Sequence, residues 1–142
     1  MNILRIGTKK RELGDFGERE AEKLLRKKGF KIMERNFAAV GHEIDIIAEN
    51  KEYLVFTEVK TRSVDKTNSK EPRPASAVGP DKQRGIISTA KFYSAANGKG
   101  KKKRFDVIEV FVTEDSRGKR KVFDIKHLEN AFNCDTAYKA VR

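Results

Sequence analysis

Cysteine is nearly absent from this 142-residue chain: Cys134 stands alone. A single thiol closes no internal disulfide, so a reducing, cytoplasmic setting is expected. Long apolar runs are missing as well. None reaches the length of a membrane span or of a signal-peptide core, so neither is expected. Prolines are scarce, and Pro72, Pro74 and Pro80 all fall in one polar, basic stretch over 62–80. A loop of this length is usually functional or disordered. Here it reads as a mobile basic flap or as plain disorder. Carboxylates are in deficit, with 21 Asp and Glu against 32 Lys and Arg, a net charge of +11. An excess of that size draws polyanions and points to nucleic acid as a partner.

What remains is one domain with a real core, and no internal repeat or second domain. The opening residues 1–13 are basic and read as a loosely attached end rather than a targeting peptide. Asp15 to Lys28 reads as a helix, with Gly17, Ala21, Leu24 and Leu25 on one stripe. Acids crowd its start and bases its end, as the helix dipole favours, and Gly29 is a stop signal. Phe30 to Phe37, Glu43 to Glu49 and Tyr53 to Thr61 alternate as strands. Asp81 to Ala96 reads as a second helix. Lys99 to Arg104 is a basic linker, a solvated loop or a phosphate contact. Phe105 to Thr113 and Lys121 to Lys126 read as strands, Leu128 to Phe132 as a closing helical turn, and 133–142 as a tail.

The two most apolar, most strand-like runs carry Glu43, Asp45, Glu58 and Lys60. Charges in such a setting are costly unless something compensates them. A tight hairpin on Asn50 and Lys51 places Glu49 opposite Glu52, Asp45 opposite Phe56 and Glu43 opposite Glu58. Opposed residues share a face, so the four charged side chains would lie together. Ile47, Leu54 and Phe56 line that face nearer the turn. Ile44, Ile46, Val55 and Val59 take the other, and His42 with them. Both faces are partly apolar, which implies cover on both sides and an α/β arrangement.

Paired carboxylates beside a lysine suit phosphodiester hydrolysis. Asp45 and Glu58 would hold Mg2+ or Mn2+, with the Val59 carbonyl as a backbone ligand. Lys60 would hold or deprotonate the attacking water. An E-x-K triplet alone is common, and an ordinary cross-strand ion pair on a surface sheet reads it equally well.

Several segments together carry a resemblance. They are Gly14-Asp15-Phe16-Gly17-Glu18 with Ala21 and Leu25, Gly29-Phe30, Glu34-Arg35-Asn36-Phe37, and Gly41 to Ala48. Leu54 to Arg62, Lys82, Ala90, Arg104-Phe105-Asp106-Val107 and Ala131-Phe132 complete them. Over residues 14–132 the chain resembles the YraN-like, UPF0102 group of small bacterial proteins. That group is related to the restriction-endonuclease-like, PD-(D/E)XK, nucleases and to archaeal Holliday junction resolvases. The resemblance implies a mixed central sheet flanked by helices, with an αβββαβ core. It implies that Asp45, Glu58 and Lys60 form the metal and catalytic centre and that Glu18 completes it. From composition alone Glu18 is an ordinary first-turn acid. Glu43 would ligate a second ion or support Lys60. Lys82 matches a position that in relatives faces the phosphate, and equally reads as a solvated helix lysine. His42 stands where relatives often have Gly.

The expected activity is therefore a Mg2+-dependent endonuclease acting on DNA, on branched or otherwise structured DNA in particular. Arg62, Lys82 and the linker lysines Lys101, Lys102 and Lys103 would contact phosphates. Junction resolvases act as dimers, which makes a homodimer one arrangement open to this chain. The alternative is a nucleic-acid-binding module that uses the same basic surface without turnover, with salt-dependent binding indifferent to the carboxylates.

Overall fold

Two helices, the first followed by three strands and the second by two, make up the chain in a computed structural model, which describes residues 3–64 and 78–134. Helix α1 spans Ile3–Lys27, β1 Lys31–Ala39, β2 His42–Glu49 and β3 Tyr53–Ser63. Helix α2 spans Pro80–Asn97, β4 Lys102–Glu114 and β5 Arg120–Phe132. The strands form one sheet in the order β1-β2-β3-β4-β5. All neighbours are antiparallel except β3 and β4, which are parallel, with α2 in the crossover between them. The α/β arrangement expected from the pattern is present, and the sheet is mixed, as the resemblance implies, with one more strand than the αβββαβ core. No described helix is long and apolar enough to cross a membrane. Most of the 62–80 loop and of the 133–142 tail lies outside the described residues.

Each helix buries its stripe on one face of the sheet. On one side Ala21 and Leu25 of α1 meet Ile46, Ala48, Val55, Ile108 and Val110. On the other, Ile86, Ile87, Ala90 and Tyr93 of α2 meet Ile44, Ile47, Leu54, Phe56, Phe105 and Val107. A chain of rings ties that face together. Tyr93 stands edge-on to Phe37 and Phe56, Phe56 stacks on Phe105 at 5.6 Å, and Phe105 stacks on Phe132 at 5.3 Å. Such pairs add about 0.5–1.5 kcal/mol each beyond their area.

Three sequence expectations are corrected. The helix starts at Ile3, not at Asp15, because the apolar stripe continues backwards through Phe16 and Leu13, which pack on the α1-side core. Lys102 to Arg104 is strand, not linker, since it ladders with Tyr53 to Val55 of β3. Leu128 to Phe132 is strand, not a helical turn. Phe132 is buried on Phe105, and the Asn130 N–H donates to Asp106 Oδ1 at 2.9 Å.

The β2–β3 hairpin is longer than a two-residue turn. Asn50 Oδ1 accepts the N–H groups of Glu52 and Tyr53, at 2.9 and 2.7 Å, so the turn closes over Asn50 to Glu52. The register becomes Glu49↔Leu54 and Ile47↔Phe56, two residues from the expected one. An even slip keeps every side chain on its face. The exceptions lie beyond the ladder: Ile44 joins Ile47, Leu54 and Phe56 on the α2 side, His42 lies there too, against Gly85, and Asp45, expected on that face, lines the α1-side cavities instead. Asn36, at φ 49°, and Asp45 drop out of the β1–β2 ladder between Arg35↔Ile46 and Phe37↔Ile44, which breaks the alternation there.

Helix α1 crosses β3 at Gly17. A Cβ built there falls 1.8 Å from Thr61 Oγ1 and 2.7 Å from Thr61 Cβ. Gly17→Ala must therefore push helix from strand. A loss of about 1–3 kcal/mol is expected from such overpacking, read as a lower urea midpoint at unchanged slope.

Candidate active site

The β2–β3 ladder ends at Ile46↔Thr57. Beyond it the strands part, and side chains fill the gap that backbone pairing leaves. Asp45 Oδ2 accepts the Val59 N–H at 2.8 Å, in the place of a ladder carbonyl. Glu58, nearly buried, lies beside it and receives Lys82 from the first turn of α2, with Nζ 2.5 Å from Oε1. Helix α1 closes the other side. A cavity of about 460 Å3 is lined by Lys10, Leu13, Gly14, Glu18, Asp45, Glu58, Val59 and Thr61. A second, of about 300 Å3, shares Glu18 and Asp45 and adds Asp15, Arg19, Glu22, Arg35 and Ile46.

The carboxyls repel one another. Burial, then the charge of Glu58, pushes Asp45 up to about 7, against the opposing bond from Val59. Burial, then Asp15, Glu43, Glu22 and Glu58, raises Glu18. On the α2 side cations crowd instead. Burial, then Arg62 and Lys82, lowers Lys60. Burial would lower Lys82 too, but the hydrogen bond and charge of Glu58 outweigh it and hold that ammonium above its ordinary value. Acids on one side of Glu58 and bases on the other make a divided site. Lys82→Ala is expected to push Asp45 higher still, because it removes a charge that favours the carboxylate. A carbon-detected NMR titration of Asp45 reads this directly.

The expected residues are thus mostly brought together. Glu18, Asp45, Glu58, Lys60 and Lys82 surround one junction. Glu43 is exposed and acts on Glu18. The charges acting most strongly on Lys60 are Arg62, Lys82, Glu58 and Glu109. At Val59 the visible contact is its N–H on Asp45. His42 lies against Gly85 of α2, whose Cβ would fall 2.2 Å from His42 Nδ1. Arg62 turns to the buried Glu109, 3.5 Å away. Lys101 and Lys102 are elsewhere, at the start of β4, paired with Glu49 and Glu52.

A hard divalent cation takes one or two carboxylates and completes its shell with water. Asp45 and Glu58 offer that donor set, and their mutual repulsion is what such an ion would relieve. Among the described residues no three His, Cys, Asp or Glu side chains are grouped closely enough to hold an ion by themselves. The fit is to a two-carboxylate, water-completed site.

A family model described as "Uncharacterised protein family UPF0102" matches residues 17–110, from the Gly17 crossing through both arms of the site to β4. The chain belongs to the UPF0102 family. It is 41% identical to the UPF0102 protein of Clostridium acetobutylicum over 123 residues, 86% of this chain and 94% of that protein. It is 41% identical over 124 residues to that of Caldanaerobacter subterraneus subsp. tengcongensis, 87% of this chain and 96% of the relative. Against the Clostridioides difficile member it is 42% identical over 123 residues, 86% of this chain and 97% of that one. The family stretch includes Glu18, Asp45, Glu58, Lys60 and Lys82.

Inside the same stretch lie two buried strand acids to which the sequence pattern assigned no role. Glu109 is 1% exposed, and Asp106 is fully buried. Arg104 grips Asp106 through two bonds of 2.9 Å, and His127 Nε2 lies 2.7 Å from it. Both acids stand among apolar strand residues. The cost of charge in that setting, which singled out Glu58, applies to them equally. Lys10 reaches the cavity because α1 begins at Ile3, well ahead of the Asp15 start that the stripe suggests.

Proposed function

We propose that this UPF0102 protein is a metal-dependent phosphodiester hydrolase acting on DNA, with a restriction-endonuclease-like fold. The convergence of Asp45 and Glu58 where β2 and β3 part, with Lys60 and Lys82 alongside, carries the reading. Asp45 and Glu58 would hold Mg2+ or Mn2+, with the Val59 carbonyl as a further donor. Such an ion supplies charge neutralisation at the phosphoryl group and a water acidic enough to attack. Lys60, its charge disfavoured by burial and by two neighbouring cations, holds the attacking water and stabilises developing negative charge. Glu18 adds a carboxyl from α1 to the same cavity. Lys82 takes the scissile phosphate once Glu58 no longer occupies it. Arg62, on the α2 side, meets the neighbouring phosphate.

The test is cleavage of duplex, flap and four-way DNA with Mg2+ or Mn2+. Cutting by the wild type and none by Asp45→Ala is expected. No cutting by the wild type on any substrate, or equal cutting by the variant, would defeat the proposal.

One observation favours a second reading. Lys82 already closes Glu58 at 2.5 Å, which a non-catalytic binding module would retain. That reading predicts salt-dependent DNA binding unchanged in Glu58→Ala and indifferent to divalent ions.

A further inference from the structure

The basic excess of the chain is unevenly placed, and much of it lies away from the divided site. At the turn end of the sheet a groove of about 610 Å3 is lined by Gly29, Lys31, Glu49, Asn50, Lys51, Glu52 and Lys101. Glu49 sits in its wall as a built-in anion. The hydrogen bond from Lys101, at 2.8 Å, together with Lys99 and Lys31, holds its carboxyl below the usual range. Lys102 and Lys103 follow at the start of β4, beside Tyr53 and Leu54, on opposite faces of the strand. Three lysines, Lys31, Lys51 and Lys101, thus line the groove against Glu49 and Glu52, with Lys99, Lys102 and Lys103 close by along the chain. At the other end the cavities on α1 carry more carboxylates than cations. The sheet separates the two signs: Tyr53 and Glu58 lie five residues apart on β3, or about 17 Å at strand spacing.

We infer that this lysine groove is a separate docking site for the sugar–phosphate backbone of duplex nucleic acid. Sequence-independent phosphate contacts need clustered ammonium groups, and Lys31, Lys51 and Lys101 present such a cluster here. Single strands are held by aromatic platforms on which unstacked bases lie. No aromatic side chain lines the described wall, and the nearby Tyr53 ring is taken by the Arg104 guanidinium, 5.1 Å from its centroid. A duplex resting here reaches the divided site only if it extends about 17 Å further, roughly five base pairs. The inference rests on nucleic acid as the ligand class of the proposed function, and is independent of whether the carboxylates cut.

The experiment measures binding of a short duplex, and of one of its strands alone, in EDTA between about 50 and 200 mM salt. The variant combines Lys31→Ala, Lys51→Ala and Lys103→Ala, all exposed positions. Its control combines Lys9→Ala, Lys23→Ala and Lys91→Ala, equal in charge and placed elsewhere. The groove variant is expected to bind about tenfold more weakly at the low-salt end. Its salt slope should be shallower by about 0.9 for each lysine that met a phosphate. The control should bind as the wild type does. Wild-type affinity from the groove variant, equal loss in the control, or single strands bound as tightly as duplex overturns the inference. Cleavage assayed beside binding keeps the two readings apart. Metal-dependent cutting with no groove effect sinks only the groove. A groove effect without cutting sinks only the hydrolase.

Discussion

Asp45→Asn is expected to abolish DNA cleavage while making the protein more heat-stable above pH 7. The two effects have one cause. Asp45 is drawn from 3.8 to about 7 by burial and by Glu58, so its ionised form is disfavoured in the folded state. A carboxyl whose folded value is raised contributes its stability fully below its unfolded value, and loses it as pH rises through the folded one. Between about pH 4 and 7 the wild type therefore loses stability, and above 7 it holds a charge that the fold opposes. Asparagine keeps an oxygen for the Val59 N–H and removes the charge. A rise in melting temperature of roughly 5 °C is expected at pH 8, shrinking to nothing near pH 4. Mn2+ should raise the wild-type melting temperature at pH 8 and leave Asp45→Asn unmoved, because a bound ion stabilises only the state that binds it. Cleavage should fall at least about a hundredfold, the scale of losing a main electrostatic element of a reaction. A variant that is no more stable than wild type at pH 8, or that still cuts, contradicts this account. A residue that costs stability and serves chemistry is the usual trade at an active site.

Asp106→Ala is expected to be the most destabilising single change in the described chain. Asp106 accepts two bonds from Arg104 and one from the Asn130 N–H, and His127 lies on the same carboxylate. Lys28 Nζ is 2.7 Å from His127 Nδ1, so that nitrogen accepts and Nε2 carries the proton toward Asp106. The Arg104 guanidinium also lies over the Phe30 and Tyr53 rings, 5.2 and 5.1 Å from their centroids. Removing the carboxylate leaves the imidazole N–H without its acceptor and the guanidinium with only the exposed Glu129, 3.9 Å away. Breaking a buried pair in this way costs about 3–5 kcal/mol, which lowers the melting temperature by roughly 10 °C or more. The pH sign is opposite to that of Asp45. Burial alone would raise Asp106, but the bonds from His127, Arg104 and Asn130 outweigh it and hold it below 3.8. Its contribution is present above its unfolded value and fades as pH falls through the folded one. Thermal melts from pH 3 to 8 should show wild-type stability peaking between the two regimes. Asp106→Ala should flatten the acid limb, and Asp45→Asn the neutral one. A melting temperature of Asp106→Ala within a few degrees of wild type would show the network to be dispensable.

Much of the fold is legible residue by residue. The Ala21–Leu25 stripe, the alternation in β2 and β3 and the apolar run of β4 each declare their element and their buried side. The even error of the turn, in which Asn50 holds two N–H groups, left Ile47, Leu54 and Phe56 on their expected face, but the central charges did not stay on one face: Asp45 turns to the α1-side cavities, while Glu58 meets Lys82 of α2. The slip nevertheless changed the neighbour. Asp45 meets Val59 and Glu58 rather than Phe56. Where the alternation itself breaks, at Asn36 opposite Asp45, nothing in the local pattern warns that Ile44 will change sides.

Partners distant along the chain were not legible, because local patterning carries a residue's face and not what comes to meet it. Lys82 could have been a solvated helix lysine. The crossover that places α2 beside β2 brings its ammonium to Glu58. Lys101 to Lys103 read as one basic run with the site. The parallel pairing of β4 with β3 carries them to the opposite end, where Glu49 and Glu52 wait. Arg104 and His127 meet on Asp106 only because β5 returns along β4.

By itself the sequence determined the kinds of group available: a basic chain, two helical stripes, and carboxylates set among strand residues whose burial makes charge costly. It determined the faces, since side-chain direction follows from a period of two or of 3.6. The tertiary structure decided distance. Divergence of β2 from β3 beyond Ile46 and Thr57 opened the gap that Asp45 fills, and parallel β4 set the lysine groove about 17 Å from it. Electrostatic energy depends on separation and on exposure to water, and neither is written in the order of residues.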